Sequence, residues 1–531
     1  MASIESGSAQ AAARPAATRI SGRAARVLLS VSGVSFMLML DSNVVAVSLP
    51  AIARSLGTSF ADIEWVVSAY ILSFAACLMP AGALADRFGR RRLMLSGLVV
   101  FTLASLLCGL APDARILNAA RTLQGIGGAL QLSAALAVLG HVFRGPQRAH
   151  AFAVWGTVMG VAVALGPVVG GAVTAAFGWR WVFIVNVPVG IALLALSLSS
   201  VEESSDPDAR RVDLAGMLLF GSALFLIVWA MIDANTAGWG SRSTLLRLAG
   251  GAVLAVGFVI AERVQARPMV DLALFRRRTF LGSSVAMLGF AASAQVMLTY
   301  LPLYLQNAFG FGPAAAGLRM LPFALPLFIV PRATTALAHR MSGRTLLGAG
   351  LWITASGNAL TAWLIAGHAG YAAVAVGMAW TGCGAGLLNG ETAKVAMSVI
   401  PPQRAGMASG IGATLRFVGL VVGITALGVV LVGRTRHYLA AALAGATRPY
   451  APVGTLVSHI VAGDPAGATA GLSPAAARGL QSLARAGFAQ GFVDVLLAAA
   501  TVAAVSAVLS WLLVSHEETL PVPHHPSGSN A

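Results

Sequence analysis

The sequence predicts an all-α integral membrane protein with fourteen crossing helices, and three observations carry that expectation. The chain is 57% hydrophobic and only 10% charged, whereas a soluble domain uses about 25% charged residues to cover its surface. Apolar runs of about 20 residues recur from end to end, each long enough to cross a hydrocarbon core of about 30 Å as a helix. The short alternating segments of a membrane barrel do not occur. The net charge of +16 comes from arginines clustered between apolar runs. That arrangement reads as topology and not as a nucleic-acid surface.

Residues 1–26 are rich in Ala, Ser and Arg, with little acid, and read as a cytoplasmic tail. Six spans follow, at 27–49, 63–85, 93–111, 116–140, 150–173 and 181–201. A polar break at 202–212 ("EESSDPDARR") ends this N-terminal six-helix bundle, residues 27–201. Two linking spans, 213–233 and 245–262, make up a segment over 213–262. A second break, 262–278 ("ERVQARPMVDLALFRRR"), leads to a C-terminal bundle over 279–514. Its spans are expected at 279–305, 314–336, 346–366, 370–399, 406–432 and 489–514. Between the last two lies 433–488, expected as a long polar outside loop, and 515–531 is a cytoplasmic tail. A 6+2+6 division fits the two-bundle plan of many secondary transporters.

Arginine placement sets the sidedness. One set of loops carries Arg87, Arg90, Arg91, Arg92, Arg144, Arg148, Arg210, Arg211, Arg276, Arg277, Arg278 and Arg404, against a sparse set opposite. The rich side is cytoplasmic, so both termini face the inside of a plasma (inner) membrane. Cys77, Cys108 and Cys383 fall within spans and read as small apolar fillers. The histidines show no ligand spacing, so no metal or other cofactor is expected. No nucleophile elbow or phosphate loop occurs, which argues against an enzyme.

Charges inside spans are costly and mark function. Asp41, in "LDSNVVAVSLP" (Leu40–Pro50), lies deep in the first span, where burial disfavours a charge. It reads as a proton carrier or cation contact, or else as a helix–helix contact. Arg121, in "LNAARTLQGIGGAL" (Leu117–Leu130), is an intramembrane arginine, or else one reaching back to the near surface. Lys394, the sole lysine, stands in "LNGETAKVAM" (Leu388–Met397), three residues after Glu391. At that spacing the two touch on one helix face, and the long stem of Lys394 can reach the cytoplasmic surface. Glu391 reads equally as a titrating cavity residue tuned by Lys394 or as half of a static pair; Arg416 offers it an alternative partner. Asp86, in "GALADRFGRRRLM" (Gly82–Met94), closes a helix at its negative end, where an acid is unfavourable. The N-terminus of the helix starting near Gly406 is expected to compensate it, with Arg87 and Arg90 adding ion pairs. The group would form a conformational latch; the alternative is a positive-inside anchor only. "WGTVMGVAVALGPVVGG" (Trp155–Gly171) has small residues for close helix approach and a proline to bend the helix.

These stretches resemble the major facilitator superfamily. "GALADRFGRRRLM", with Gly82, Asp86, Arg87, Gly89 and Arg90, fits that superfamily's loop signature at every fixed position. "RTLQG" resembles its fourth-span pattern, and Gly166, Pro167, Gly170 and Gly171 match the end of its antiporter signature, though Ala162 fills an expected glycine position. "LDSNVVAVSLP" and "WRWVFIVNVPVG" are similar to the fourteen-span drug:proton antiporter family within it, with Asn43 and Ala46 where Thr and Asn are usual. The resemblance implies the major facilitator fold and alternating access. It also implies export of a small amphipathic or cationic compound in exchange for protons, with Asp41, Arg121, Glu391, Lys394 and Arg416 in coupling or substrate contact. The partners it implies are a small-molecule substrate, protons and the lipid bilayer. A periplasmic adaptor protein is compatible with it but not demanded. An importer or facilitator, and a non-transporting membrane sensor, are the alternatives.

Overall fold

The computed structural model describes residues 22–519 except 206–212, 266–267, 269, 339, 401–404 and 445–449. Arg210, Arg211 and Arg404 therefore lie outside the described residues. Helices α1 (Gly22–Leu56), α2 (Phe60–Phe88), α3 (Arg90–Leu110), α4 (Ala114–Val142) and α5 (Gly145–Phe177) come first. A sixth passage is broken into α6 (Arg180–Ile184) and α7 (Asn186–Ser200). Then follow α8 (Leu214–Ala237) and α9 (Arg242–Val264). The ninth passage is α10 (Arg278–Phe290), a π-helical turn at Ala291–Gln295, and α11 (Met297–Asn307). The tenth is α12 (Pro313–Leu318) and α13 (Leu321–Leu337). The rest are α14 (Gly343–Ala366), α15 (Tyr371–Ser398), α16 (Ala405–Leu443), α17 (Val453–Ala462), α18 (Pro465–Ala468) and α19 (Pro474–Leu513).

Among the described residues, 13 of these passages are long and apolar enough to cross a membrane. The fourteenth expected span, 346–366, coincides with α14, a 24-residue helix diluted by Thr354, Ser356, Asn358 and Thr361. The chain is thus a multi-pass, all-helical membrane protein. Helix ends are set by local chemistry. Ser59 and Asp62 make a reciprocal capping box at the start of α2, and Asp113 accepts from the Ile116 N–H to start α4.

The expected outside loop 433–488 is corrected: most of it is helical. Helix α16 continues to Leu443, and α19 begins at Pro474, fifteen residues ahead of the expected start at 489, on the Ser473 cap. Alanine-rich sequence with scattered arginines forms good helix although it is too polar to read as a span. Helix α17 buries Leu456, Val457, Ile460 and Val461.

Glycines let the helices of each half approach closely. A Cβ at Gly97 would stand 2.5 Å from the Gln131 N, and one at Gly384 would stand 2.7 Å from the Gly350 carbonyl. Helix α8 packs on α9 and lies against α2 and α16, while α9 leaves Leu245, Leu246, Val253 and Val256 exposed for lipid. The two halves meet along α2–α16, α1–α11 and α5–α12. Near one end, Gln306 Nε2 donates to the Val47 carbonyl at 2.8 Å, and Arg54 Nη1 donates to the Gly463 carbonyl at 2.7 Å, just past α17. The halves are therefore bound together at the end that carries Leu56, Asn307 and α17.

Candidate functional site

Asp41 and Arg121, expected separately, form one ion pair: Arg121 Nη1 lies 2.8 Å from Asp41 Oδ2. Asp41 is 2% exposed and Arg121 1%. Gln124 Nε2 and Asn186 Nδ2 donate to the other carboxylate oxygen at 3.0 and 2.7 Å. Both amides also donate to Ser105 Oγ, at 3.1 and 2.9 Å. Arg121 Nη1 donates to Gln124 Oε1 at 2.6 Å, and its Nε donates to the Val66 carbonyl at 2.9 Å. The guanidinium stands over the Tyr70 ring, 4.1 Å from its centre. Five passages of the N-terminal half thus converge on one carboxylate–guanidinium pair. The reading of Arg121 as reaching back to the surface is corrected, since the residue is sealed. Asp41 is likewise not a solitary buried acid but one with a full set of donors, the condition under which a buried charge is tolerated.

Asp86 pairs with Arg90, one of the two arginines expected to reach it. Its Oδ1 accepts from Arg90 Nε at 3.0 Å and Nη2 at 2.8 Å, one helical turn on across the Gly89 junction. Arg87 is exposed and lies against the Phe88 ring instead. The compensation expected from the helix starting near Gly406 involves 401–404, just before α16, which lie outside the described residues. What the signature does supply is a helix start. Gly89 adopts φ +107°, and a Cβ there would stand 2.6 Å from Glu203 Oε1. That carboxylate accepts from the Arg91 and Arg92 N–H groups at 3.1 and 3.2 Å. An acid at the positive end of α3 is favourable. Gly89 therefore serves backbone geometry and room for Glu203, while Gly82 meets open space.

The glycines near the end of α5 are contact points between helices. A Cβ at Gly170 would stand 2.6 Å from the Val44 carbonyl of α1, and one at Gly166 would collide with Asn43. Gly171 faces the Pro313 carbonyl of α12, and Gly317 of α12 faces the Pro167 carbonyl in return. The proline-containing stretch of α5 is thus seated, backbone against backbone, on the C-terminal half.

In that half, Lys394 Nζ lies 3.1 Å from Glu391 Oε2, as the spacing predicts. The Glu391 side chain is 5% exposed and that of Lys394 52%, so the ammonium does reach out of the bundle. Arg416 is corrected: it does not pair with Glu391. Its Nε donates to Gln295 Oε1 at 2.8 Å, in the π-helical turn, and its guanidinium faces the Phe290 ring. Asn358 Nδ2 donates to the Ser293 carbonyl in the same turn at 3.0 Å. π-turns occur often at functional sites.

Sequence reading missed Gln124, Asn186, Ser105, Gln295 and Glu203. The first two stand in motifs already singled out, "RTLQG" and "WRWVFIVNVPVG", and a polar amide in an apolar run is the signal that would have found them. Gln295, in "FAASAQVMLTY", carries the same mark, whereas Ser105 does not.

Two helical bundles bound at one end, with an ion pair sealed inside one of them, have the build of a membrane carrier. A family model described as Major Facilitator Superfamily matches residues 31–424, and the chain belongs to that superfamily. It is 36% identical over 452 residues to the multidrug resistance protein Stp of Mycobacterium tuberculosis, covering 81% of this chain and 83% of that one. It is 34% identical to a probable actinorhodin transporter of Streptomyces coelicolor, over 76% of this chain and 72% of that one. It is 32% identical to the tetracenomycin C resistance and export protein of Streptomyces glaucescens, over 79% and 78%. Among solved structures, a bacterial homologue of the lysosomal transporter Spinster, inward-facing and unoccupied, aligns with TM-score 0.62 and 16% identity. That alignment covers 94% of this chain and 99% of that one, and shows the fold. The protein is a transporter of small molecules and not an enzyme.

Proposed function

We propose that this protein exports small amphipathic or cationic compounds from the cell in exchange for protons, by alternating access. It would sit in the plasma membrane with both termini inside. The observation that carries the reading is the sealed Asp41–Arg121 pair, on which groups from five passages converge. A proton reaching Asp41 removes the charge that holds Arg121. The guanidinium is then drawn to Gln124 Oε1 and the Val66 carbonyl alone, and the contact between α1 and α4 loosens. Binding of a proton at Asp41 is thereby linked to the packing of the bundle, which is what coupling requires. The relatives named for drug resistance and antibiotic export support the outward direction. With the arginine-rich loops inside, the end joined by α1–α11 and α5–α12 would be the outer one. The proton gradient would drive this cycle, and a periplasmic adaptor protein is compatible with it.

Inside-out vesicles test the reading. An imposed proton gradient should drive uptake of a lipophilic cation by the native protein and not by Asp41→Asn. Wild-type rates in Asp41→Asn would reduce Asp41 to a structural contact. Accumulation only under the opposite gradient would favour an importer.

A further inference from the structure

The coupling pair does not account for every buried charge at the junction of the halves. Glu64, in the second turn of α2, is 4% exposed. Neither of its carboxylate oxygens has a hydrogen-bond partner among the described residues. It faces the other half: a Cβ built on Gly428 of α16 would stand 2.9 Å from Glu64 Oε1 and equally 2.9 Å from Tyr300 Oη of α11. The Tyr300 hydroxyl is already donated to the Ile424 carbonyl at 2.5 Å. Further along the same seam Phe74 of α2 packs on Phe417 of α16, ring centres 4.4 Å apart.

Most charged groups of the elements around α2 are engaged elsewhere, and Arg115 of α4 and His437 of α16 are exposed. On α1 and α4, Asp41 and Arg121 hold each other, and Arg54 holds the Gly463 carbonyl. On α16, Arg416 holds Gln295 and Arg434 pairs with Asp494 of α19. Asp233 of α8 pairs with Arg247 of α9, and His459 of α17 pairs with Asp464. Asp62 is taken by the Thr58 and Ser59 hydroxyls, and Asp86 by Arg90 at the far end of α2. Tyr300 is the titratable group that faces Glu64, with Tyr70 on α2 itself.

An ionised carboxylate closed off without a counter-charge or donor is costly, and such a group keeps its proton instead. We propose that Glu64 is a proton-binding gate: the seam between α2 and α16 closes at this end only when Glu64 carries a proton. This rests on the alternating-access reading and adds a site to it. When the halves part here, the carboxyl meets water, where an ordinary glutamate ionises above about pH 4.3. Closing again requires one proton from the same side. That proton is taken up and returned on one face of the membrane, so it sets the gate without adding to the exchanged stoichiometry. Acidity on that face favours closing, and alkalinity holds the gate open.

The test is a distance measurement by paired spin labels in lipid nanodiscs. Cys77, Cys108 and Cys383 are replaced, and cysteines for labelling are placed at the exposed positions Arg115, on α4, and His437, on α16. As pH rises, the native protein should move from the short to the long distance, with one proton's slope from Glu64: up to about tenfold in the open-to-closed ratio per pH unit. Glu64→Gln and Glu64→Met should each lose that one-proton slope and stay in the short population, while Glu64→Asp keeps the slope. Variants lacking the carboxyl that open with native pH dependence would overturn the proposal. The readout needs no substrate. A native protein that fails to export but shows the Glu64-dependent slope would sink the export reading and leave the gate standing.

Discussion

The two halves place their internal charges in opposite ways. In the N-terminal half, Asp41 and Arg121 are separated by 80 residues of chain, are both sealed, and are shared among five passages. In the C-terminal half, Glu391 and Lys394 sit a single turn apart on α15, with the ammonium half exposed. The first pair cannot change its charge without disturbing how helices pack. The second can respond to water without moving a neighbour. Under the proposed function, coupling would belong with the former arrangement, and local tuning of a substrate's surroundings with the latter.

The largest effect should come from breaking the sealed pair. Arg121→Gln leaves an unpaired buried carboxylate and should cost about 3–5 kcal/mol of stability, read by thermal unfolding in detergent, with loss of proton-driven export. The double variant Asp41→Asn/Arg121→Gln should recover part of that cost. If the two single losses simply add, the pair is not the unit described here.

Next in size is the seam that joins the halves. Gly171→Val forces a branched side chain against the Pro313 carbonyl, and overpacking of this kind costs about 1–3 kcal/mol. The closed end should loosen, seen as longer spin-label distances between Arg115 and His437. Unchanged distances in a well-folded Gly171→Val protein would show that the seam does not hold this end shut.

Asp86→Asn removes a half-exposed pair, so stability should fall by less than about 1 kcal/mol. Substrate affinity should persist while turnover drops by roughly tenfold, equivalent to about 1.4 kcal/mol of barrier. A normal turnover number would leave Asp86 and Arg90 as a local helix contact.

The smallest effect on stability should be at α15. Lys394→Met removes the exposed partner and should change unfolding by no more than about 1 kcal/mol. Glu391→Gln should weaken export of cationic compounds and spare neutral ones. Equal transport of both classes by Glu391→Gln would make the pair structural and sharpen the contrast with Asp41.

Spans were legible because hydropathy and helix length report the same physics, the need to satisfy backbone groups within hydrocarbon. The extension of α16 to Leu443 and the early start of α19 were not, because those turns are helical without being apolar. Single residues announced themselves: a charge at Asp41, Arg121, Glu391 or Lys394 in an apolar run is conspicuous. Their partners did not, apart from Lys394, whose spacing on one helix gives it away. Nothing local to Asn186 says that it will meet Asp41 across 145 positions, and nothing near Arg416 names Gln295 over Glu391. Glu64 was passed over for a related reason. It opens a span, where an acid looks like a surface residue, and only the packing of α16 over it shows otherwise.

The sealed pair also bears on how the chain is made. Asp41 enters the bilayer with α1, long before Arg121 is synthesised in α4. Each charge at mid-helix costs about 2.5–3.5 kcal/mol to insert, and the apolar remainder of its own span must offset that alone. Asp41 therefore waits in the nascent protein without its guanidinium; Gln124 arrives with Arg121 on α4, and Asn186 comes last, with α7. The polar site of the N-terminal half is therefore complete only after its sixth passage is in the membrane.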